Sequence, residues 1–366
     1  MTASPSAPLA ERAGAPDRLS PPSAGGLAWR PLTEADAAAL LELENAGFAA
    51  DGAPFRWSLD EITDRLAEPW LDLPRNSLIG HDPGGVARAY ALAHTLPGDE
   101  TVLRVIAEGT VHPDRRREGI GREVLAWTLG RARQLLAAAG RDLPAIIRTG
   151  VEDGAPDDVR HLLERAGLTA RRFYADLRRD LSDPPPEVEL DGSLRLVPWS
   201  VQLDEPTRLA HNDAFRDHWG SQPQSPQQWT SGRSQFAPGW SFLVVDDRPD
   251  VDALLASPDT DPATAAALRA GLPLVVGYQL ASRYAADFGI RGYSFGYTDV
   301  LGVRRAYRGR RVAVALLAAG MAAFTADGME YAVLDVDTAN PTGAYGLYSR
   351  LGYTKVHGST AYAVDV

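Results

Sequence analysis

The chain has 366 residues, 45% of them hydrophobic and 23% charged, with no cysteine and a formal net charge of -11. That length suffices for two domains with their own cores, and the missing cysteines exclude disulfides, thiolate metal sites and a cysteine nucleophile. The acidic balance argues against a general nucleic-acid binder, which needs a basic face; no apolar run reaches the roughly 20 residues of a membrane span, and a cytoplasmic protein without nucleic-acid or membrane partners is expected.

Residues 1–26 are rich in Pro, Ser, Ala and Gly and lack the hydrophobic stretch of a secretory signal, so they read as a disordered tail. LAWRPLT at 27–33 opens a first domain expected over 27–181. A helical stretch follows at 35–48, then strands near 76–80 and 86–94, a strand ending in GTV at 109–111, and the turn RREGIG at 116–121 before an Ala/Leu-rich helix. The proline run in SDPPPEVELDGS, 182–193, reads as a stiff linker. A second domain is expected over 194–366 and repeats the order: LRLVPWS at 194–200, a helix over 204–215, strands at 241–246 and 274–282, LGV at 301–303, RGRRVA at 308–313 and another apolar helix.

The offset between copies is 167 at the opening strands and 192 at the turns. The extra 25 residues fall in an Asp/Pro/Ala-rich stretch near 247–273, read as a surface insertion. Strands outnumber helices in each copy and are partly consecutive. The expected class is therefore α/β in the broad α+β sense: two domains, each a mixed central sheet with helices on both faces.

A strand that enters a glycine turn and then a helix exposes unpaired N–H groups at the positive end of a helix dipole, which suits an anion. The fingerprints G-x-G-x-x-G and G-x-x-x-x-G-K-[ST] are absent; what remains is R-x-x-G-x-G, as Arg116, Gly119 and Gly121. From this turn alone, an anion site and a plain strand-to-helix connection are equally consistent. The spelling resembles the pyrophosphate turn R/Q-x-x-G-x-G/A of the GNAT N-acetyltransferases. Val111 and Val303 lie five residues before the two arginines. NPTGAYGLYSRLGY at 340–353 is similar to the family's closing N-x-x-A-x-x-L-Y-x-x-x-G-F, with Ala344, Leu347, Tyr348, Gly352 and Tyr353 in step and Asn340 one residue early. The first copy keeps Gly167 but has Leu163 in place of the tyrosine. The tandem arrangement resembles mycothiol synthase-like two-domain acetyltransferases.

The resemblance implies acetyl-coenzyme A as co-substrate and direct attack of a small-molecule amine on the thioester. The pantetheine arm would follow Leu301 and Val303, and the pyrophosphate would rest on Arg308, Gly309, Arg310, Arg311, Val312 and Ala313, with Asn340 nearby. In the first copy the corresponding set is Val111, Arg116, Arg117, Glu118, Gly119, Ile120 and Gly121. Tyr348 is the candidate acid for the departing thiolate. Period two along FGYTDVLGV puts Tyr297, Asp299, Leu301 and Val303 on one face; the resemblance implies a base upstream on this strand, so Asp299 is the candidate base and Tyr297 can orient a water or hydrogen-bond the carbonyl, with Asp335 and Asp337 as further candidates. His218 and Trp219 in AFRDHWG are candidates for the acceptor pocket.

Each residue also has a plainer reading. Tyr345 and Tyr348 could pack on the sheet, Asp299 could face solvent at a strand end, and the His218–Trp219 pair could belong to a helix end. Seven histidines are scattered without ligand spacing, so no metal is expected. Arg311 replaces the turn glycine in the copy that keeps the tyrosine, so either the second domain catalyses with Arg311 as added charge, or the first holds a cofactor structurally and neither is efficient. The alternatives to a small-molecule N-acetyltransferase are a non-catalytic acetyl-coenzyme A sensor and a protein N-acetyltransferase. Acceptor identity and oligomeric state are not encoded in any legible motif.

Overall fold

A computed structural model describes residues 7–216, 221–339 and 343–366. Its strands are β1 (Ala28–Arg30), β2 (Ser77–His81), β3 (Ala87–Thr95), β4 (Leu103–Val111), β5 (Ala145–Glu152), β6 (Thr169–Asp180), β7 (Leu194–Pro198), β8 (Phe242–Asp246), β9 (Leu274–Ser282), β10 (Phe295–Val303), β11 (Tyr331–Asp337) and β12 (Thr354–Asp365). Two units emerge, Met1–Tyr174 with Gly358–Val366, and Ala175–His357. The same pairing occurs in both. In the first, β1 to β4 form an antiparallel series and β4 pairs parallel with β5. In the second, β7 to β10 are antiparallel and β10 pairs parallel with β11. Each parallel step requires a crossover, and a helix supplies it.

In the first unit, α1 (Leu9–Arg12), α2 (Ala37–Ala50), α3 (Leu59–Leu66), α4 (Leu73–Asn76), α5 (Ile120–Ala137) and α6 (Asp157–Arg165) accompany the strands. The alternation of β3 sorts its two faces. Ala89 and Ala91 are small and fully buried against Ile120 and Val124 of α5. Tyr90 and Leu92 point the other way, onto Leu40 and Leu43 of α2 and Ile62 of α3. Start signals are local: the Ser58 side chain accepts from Glu61 N–H while the Glu61 carboxylate accepts from Ser58 N–H, a reciprocal cap on α3.

The second unit holds α7 (Asp204–Ala214), α8 (Pro226–Thr230), α9 (Val251–Ala256), α10 (Pro262–Arg269), α11 (Phe288–Arg291), α12 (Val312–Ala326) and α13 (Ala344–Arg350). Helix α12 reads VAVALLAAGMAAFTA, apolar on nearly every side, and buries Val312, Ala315, Leu316, Leu317, Met321 and Phe324 while Ala322, Thr325 and Ala326 are exposed. Its Val312 and Leu316 pack with Val244 and Val276 on one face of the sheet. Ala210 of α7 packs with Leu243, Val275 and Tyr278 on the other.

Four expectations need correction. The segment expected to be a disordered tail is ordered from Leu9 onward, which is 1% exposed and packs with Ala13 against Ala132 and Leu136 of α5. Its composition is that of a disordered segment, but a few well-spaced apolar residues suffice to anchor it. The segment near 247–273 is not a bare excursion: it forms α9 and α10, and Thr264, Ala265 and Leu268 are buried. The proline-rich 182–193 lies inside the second unit, where Leu190 packs on the α12 core and Asp191 pairs with Arg310 at 2.8 Å. The last nine residues belong to the first unit, where Ser359–Asp365 pairs antiparallel with β5. Nothing local to this segment tells which strand it pairs with.

Candidate active site

The parallel pairing of β10 with β11 runs from Phe295↔Tyr331 to Thr298↔Leu334 and stops, while β10 continues to Val303 beside β9. Among the described residues the strands therefore part at the level of Asp299, and β11 does not pair with 299–303. The first unit repeats this: β4 pairs with β5 from Leu103↔Ala145 to Ile106↔Arg148 and then runs on to Val111.

A bulge between Thr298 and Val300 shifts the β9–β10 register and leaves Asp299 as the extra residue. The bulge breaks the period-two expectation. Tyr297 stands opposite Ser282 and Val300 opposite Leu280, two residues apart on β9, so both share one face; Leu301 opposite Gln279 and Val303 opposite Gly277 take the other. Tyr297 thus shares the α7 side with Tyr278, whereas Leu301 and Val303 pack toward α12. Asp299 is exposed and accepts a hydrogen bond from Tyr284 Oη at 2.8 Å. The Tyr284 and Tyr297 rings meet edge to face at 5.4 Å. Burial, then the carboxylates of Asp335, Asp176 and Asp299, push the Tyr297 phenol well above its ordinary range. It can donate a hydrogen bond but is a poor base.

Beyond Val303 the chain makes the turn into α12. Gly309 and Arg311 both have left-handed backbones, at φ 77° and 61°. In the first unit the matching residues are Arg117 and Gly119, at φ 67° and 84°. Each turn needs two left-handed residues, and each supplies one glycine and one arginine, in opposite order. The second turn's glycine is displaced two residues rather than lost, and the backbone that presents the helix terminus is kept. Arg311 gives α12 no side-chain cap, so the first-turn N–H groups at 312–314 lack an intrahelical acceptor and face the turn. The arginines fan around it. Arg308 donates to Ala214 O at 2.8 Å, Arg310 pairs with Asp191 and lies 5.1 Å over the Tyr307 ring, and Arg311 is exposed. Val312 is buried beneath.

Tyr348, on α13, is 7% exposed and meets the Tyr353 ring at 5.8 Å; Tyr345 on the same helix is 39% exposed. Burial, then the charge of Asp335, pushes the Tyr348 phenol above its ordinary value, so it carries its proton at neutral pH. Asp337 is buried and accepts from Ala339 N–H at 2.9 Å, which makes it a turn-former. His218, Trp219 and Asn340 lie outside the described residues.

Residues 242–353 match the acetyltransferase (GNAT) family. Over 359 residues the chain is 30% identical to a mycothiol acetyltransferase of Salinispora arenicola, spanning 93% of this chain and 92% of that one. It is 27% identical to a mycothiol acetyltransferase of Mycolicibacterium gilvum over 92% and 98% of the two chains. The chain belongs to the GNAT acetyltransferase family. Among solved structures, a GCN5-related N-acetyltransferase from Sphaerobacter thermophilus superposes with a TM-score of 0.64 and 26% identity, covering 94% of this chain and 97% of that one. A tandem GNAT protein from the clavulanic acid biosynthesis pathway gives 0.64 at 17% identity over 93% and 98%, a likeness of fold.

This acetyltransferase furnishes the two frames differently. In the first unit, Arg116 forms a two-pronged ion pair with Asp51, Arg117 reaches Asp158 at 3.6 Å, and Glu118 pairs with Arg115 at 2.9 Å. Ile120 is fully buried, beneath Gly25. Gly121 and Val111 line the same turn, and Leu163, in place of Tyr348, is a core residue with Val151, Leu168 and Tyr362. The sequence reading missed two buried helix-to-strand pairs. Tyr90 Oη donates to Glu44, and His211 Nδ1 is hydrogen-bonded to Tyr278 Oη at 2.7 Å. Their signal lay in the offset: 44 plus 167 is 211, the spacing of the opening strands.

Proposed function

We propose that the protein transfers an acetyl group from acetyl-coenzyme A to the amine of a small molecule, with the chemistry in the second unit. The observation that carries this reading is a conjunction around β10: a strand edge at 299–303 that β11 does not pair, an uncapped helix terminus at 312–314, and Tyr348 of α13 in the core cluster against which Leu301 packs. The pantetheine arm, an extended chain with amide groups, matches that strand edge. The pyrophosphate matches the turn, where Arg308, Arg310 and Arg311 add positive charge. Relatives named for mycothiol make a mycothiol-related amine the first acceptor to test.

The amine, freed of its proton, attacks the thioester carbonyl carbon; a C–N bond forms, the C–S bond breaks, and the thiolate leaves. Holding amine and carbonyl together supplies much of the rate. Asp299 sits at the bulge where β10 and β11 part and takes the ammonium proton, directly or through water. Asp335, whose charge acts on both Tyr297 and Tyr348, is the second candidate. Tyr348 gives its proton to the sulfur. At ordinary values, phenol to thiolate is uphill by about 2 kcal/mol, and burial adds to this, so the proton moves as the C–S bond breaks rather than before.

Tyr348→Phe keeps the ring and the core and removes the hydroxyl. Turnover in a thiol-release assay against a panel of small amines should fall by roughly 10²–10⁴-fold, with Michaelis constants moving far less. Full turnover in the variant on an acceptor the wild type acetylates would remove Tyr348 from the chemistry.

A further inference from the structure

The outer half of β10 presents a mechanical problem. Among the described residues, 299–303 have β9 on one side and no strand partner on the other, and they begin at the bulged Asp299. A strand held on one side is free to sway, yet acetyl transfer needs its atoms fixed to a fraction of an ångström. The chain meets this with a buried side chain that crosses the strand. Tyr278 stands opposite Gly302, and its ring lies where a Gly302 side chain would be: a Cβ built there would sit 2.5 Å from Tyr278 Cε1 and 2.6 Å from its Oη. The ring is fully buried, and its hydroxyl is anchored by His211 Nδ1 of α7 at 2.7 Å. His211 is in turn stacked on Phe215 at 4.7 Å and packed against Trp229 at 5.2 Å.

The first unit shows what this arrangement adds. Its equivalent tyrosine, Tyr90, stands opposite Thr110, the counterpart of Gly302 at the 192 offset, and is bonded to Glu44, the counterpart of His211. Thr110 has a side chain, whose Cγ2 lies 3.0 Å from the position of a Cβ at Gly47 of α2. The helix-to-tyrosine bond is common to both units; of the two tyrosines, Tyr278 faces a glycine and Tyr90 faces Thr110.

Resting on the proposed function, we infer that Tyr278 and His211 are positioning residues for acetyl transfer in the second unit: the ring clamps the outer half of β10 from the α7 side, and the imidazole holds the ring. Neither touches the reacting atoms. Only Gly302 admits this clamp, because any side chain there displaces the ring.

The test compares Tyr278→Phe and Gly302→Ala with Tyr90→Phe in the first unit, all in the full chain. Tyr278→Phe keeps the ring and loses the bond to His211. Amide exchange over 299–303 should quicken by roughly fivefold, the worth of one hydrogen bond, and kcat should fall by roughly 10- to 100-fold through misplacement. The dissociation constant for acetyl-coenzyme A should change less than kcat. Gly302→Ala should do the same by pushing the ring aside. Tyr90→Phe should leave kcat and exchange over 299–303 as in the wild type. Unchanged exchange over 299–303 in both second-unit variants would overturn the clamp, as would wild-type kcat in folded Tyr278→Phe. If the wild type transfers no acetyl group to any amine, the functional reading fails, and the exchange measurement still decides the clamp.

Discussion

Arg311→Gly restores the glycine that the first copy has at this position, and its outcome can be worked out from the backbone. At φ 61° the arginine Cβ crowds the following carbonyl, a conformation that costs an L-residue about 1–2 kcal/mol. Glycine removes this cost but adds freedom to the unfolded chain worth about 0.5–1 kcal/mol. The arginine's own hydrogen bond, from Nη2 to Glu187 O at 3.5 Å, is exposed and at the distance limit, so its loss costs little. The net expectation is a gain of about 0.5–1 kcal/mol, which in a unit of this size raises the melting temperature by roughly 1–4 °C. Arg117→Gly, at φ 67° with an exposed ion pair to Asp158, should gain a similar amount in the first unit. Affinity for acetyl-coenzyme A should fall in Arg311→Gly, because a cation leaves the turn while the N–H groups stay. Scanning calorimetry with and without acetyl-coenzyme A reads both effects. A lower melting temperature in the ligand-free variant would show that the Arg311 side chain holds the turn together and would refute the backbone argument.

Leu268→Ala tests whether α10 belongs to the second unit's core: Leu268 is 8% exposed among Tyr307, Val312 and Leu316, so the change should cost about 2–3 kcal/mol. A shift of only a few tenths in a denaturant titration would return the segment to the surface. In the first unit, Arg30 hydrogen-bonds Asp36 and holds its carboxyl down to about 2, against burial, so the folded value is below the unfolded one. The stability from this pair is present above pH about 4 and is lost as pH falls through about 2, amounting to about 1 kcal/mol once the half-exposed arginine is discounted. Wild type and Asp36→Asn should therefore differ in denaturant midpoint at pH 6 and converge near pH 2; a constant gap would refute the assignment.

Periodicity and spacing located most strands to within a residue or two, because alternation such as that of β3 is dictated by two different packed faces. The repeat was legible for the same reason: each turn must place left-handed residues before a helix, which narrows the choice of residue. What stayed hidden depends on partners far along the chain. The bulge at Asp299 is defined by β9, so period two, applied to β10 alone, put Tyr297 on the wrong face. Thr354–Asp365 reads as a strand, but nothing local tells that Ser359–Asp365 pairs with Ile146–Glu152. Composition failed at the tail because Leu9 and Ala13 are outnumbered by residues that do not pack, yet they carry the packing. Tyr278 and His211 each look like ordinary core residues; only the glycine opposite gives the pair a purpose.

The proposed division of labour between the units rests on how the face beyond the strand parting is filled. In the first unit, Glu108 lies past the last β4–β5 pair, and Arg65 of α3 bonds it while also reaching Glu44 at 3.2 Å. Tyr90 completes the network through Glu44, and His94 Nε2 stands 3.6 Å from Glu108. Burial raises the Glu44 carboxyl, while the Arg65 and His94 charges outweigh burial and keep Glu108 low. Such a network is costly to open, since removing one partner leaves a buried charge uncompensated, at about 3–5 kcal/mol. An amine approaching a thioester on β4 would have to displace Arg65 or compete with it for Glu108. In the second unit the counterpart of Glu108 at the 192 offset is Val300 and that of Glu44 at the 167 offset is His211, while Asp299 is exposed at the bulge, where it accepts a hydrogen bond from the Tyr284 hydroxyl. A carboxylate proposed to accept a proton during turnover is better served by an exposed position at a strand parting than by the first unit's, where an arginine already claims it.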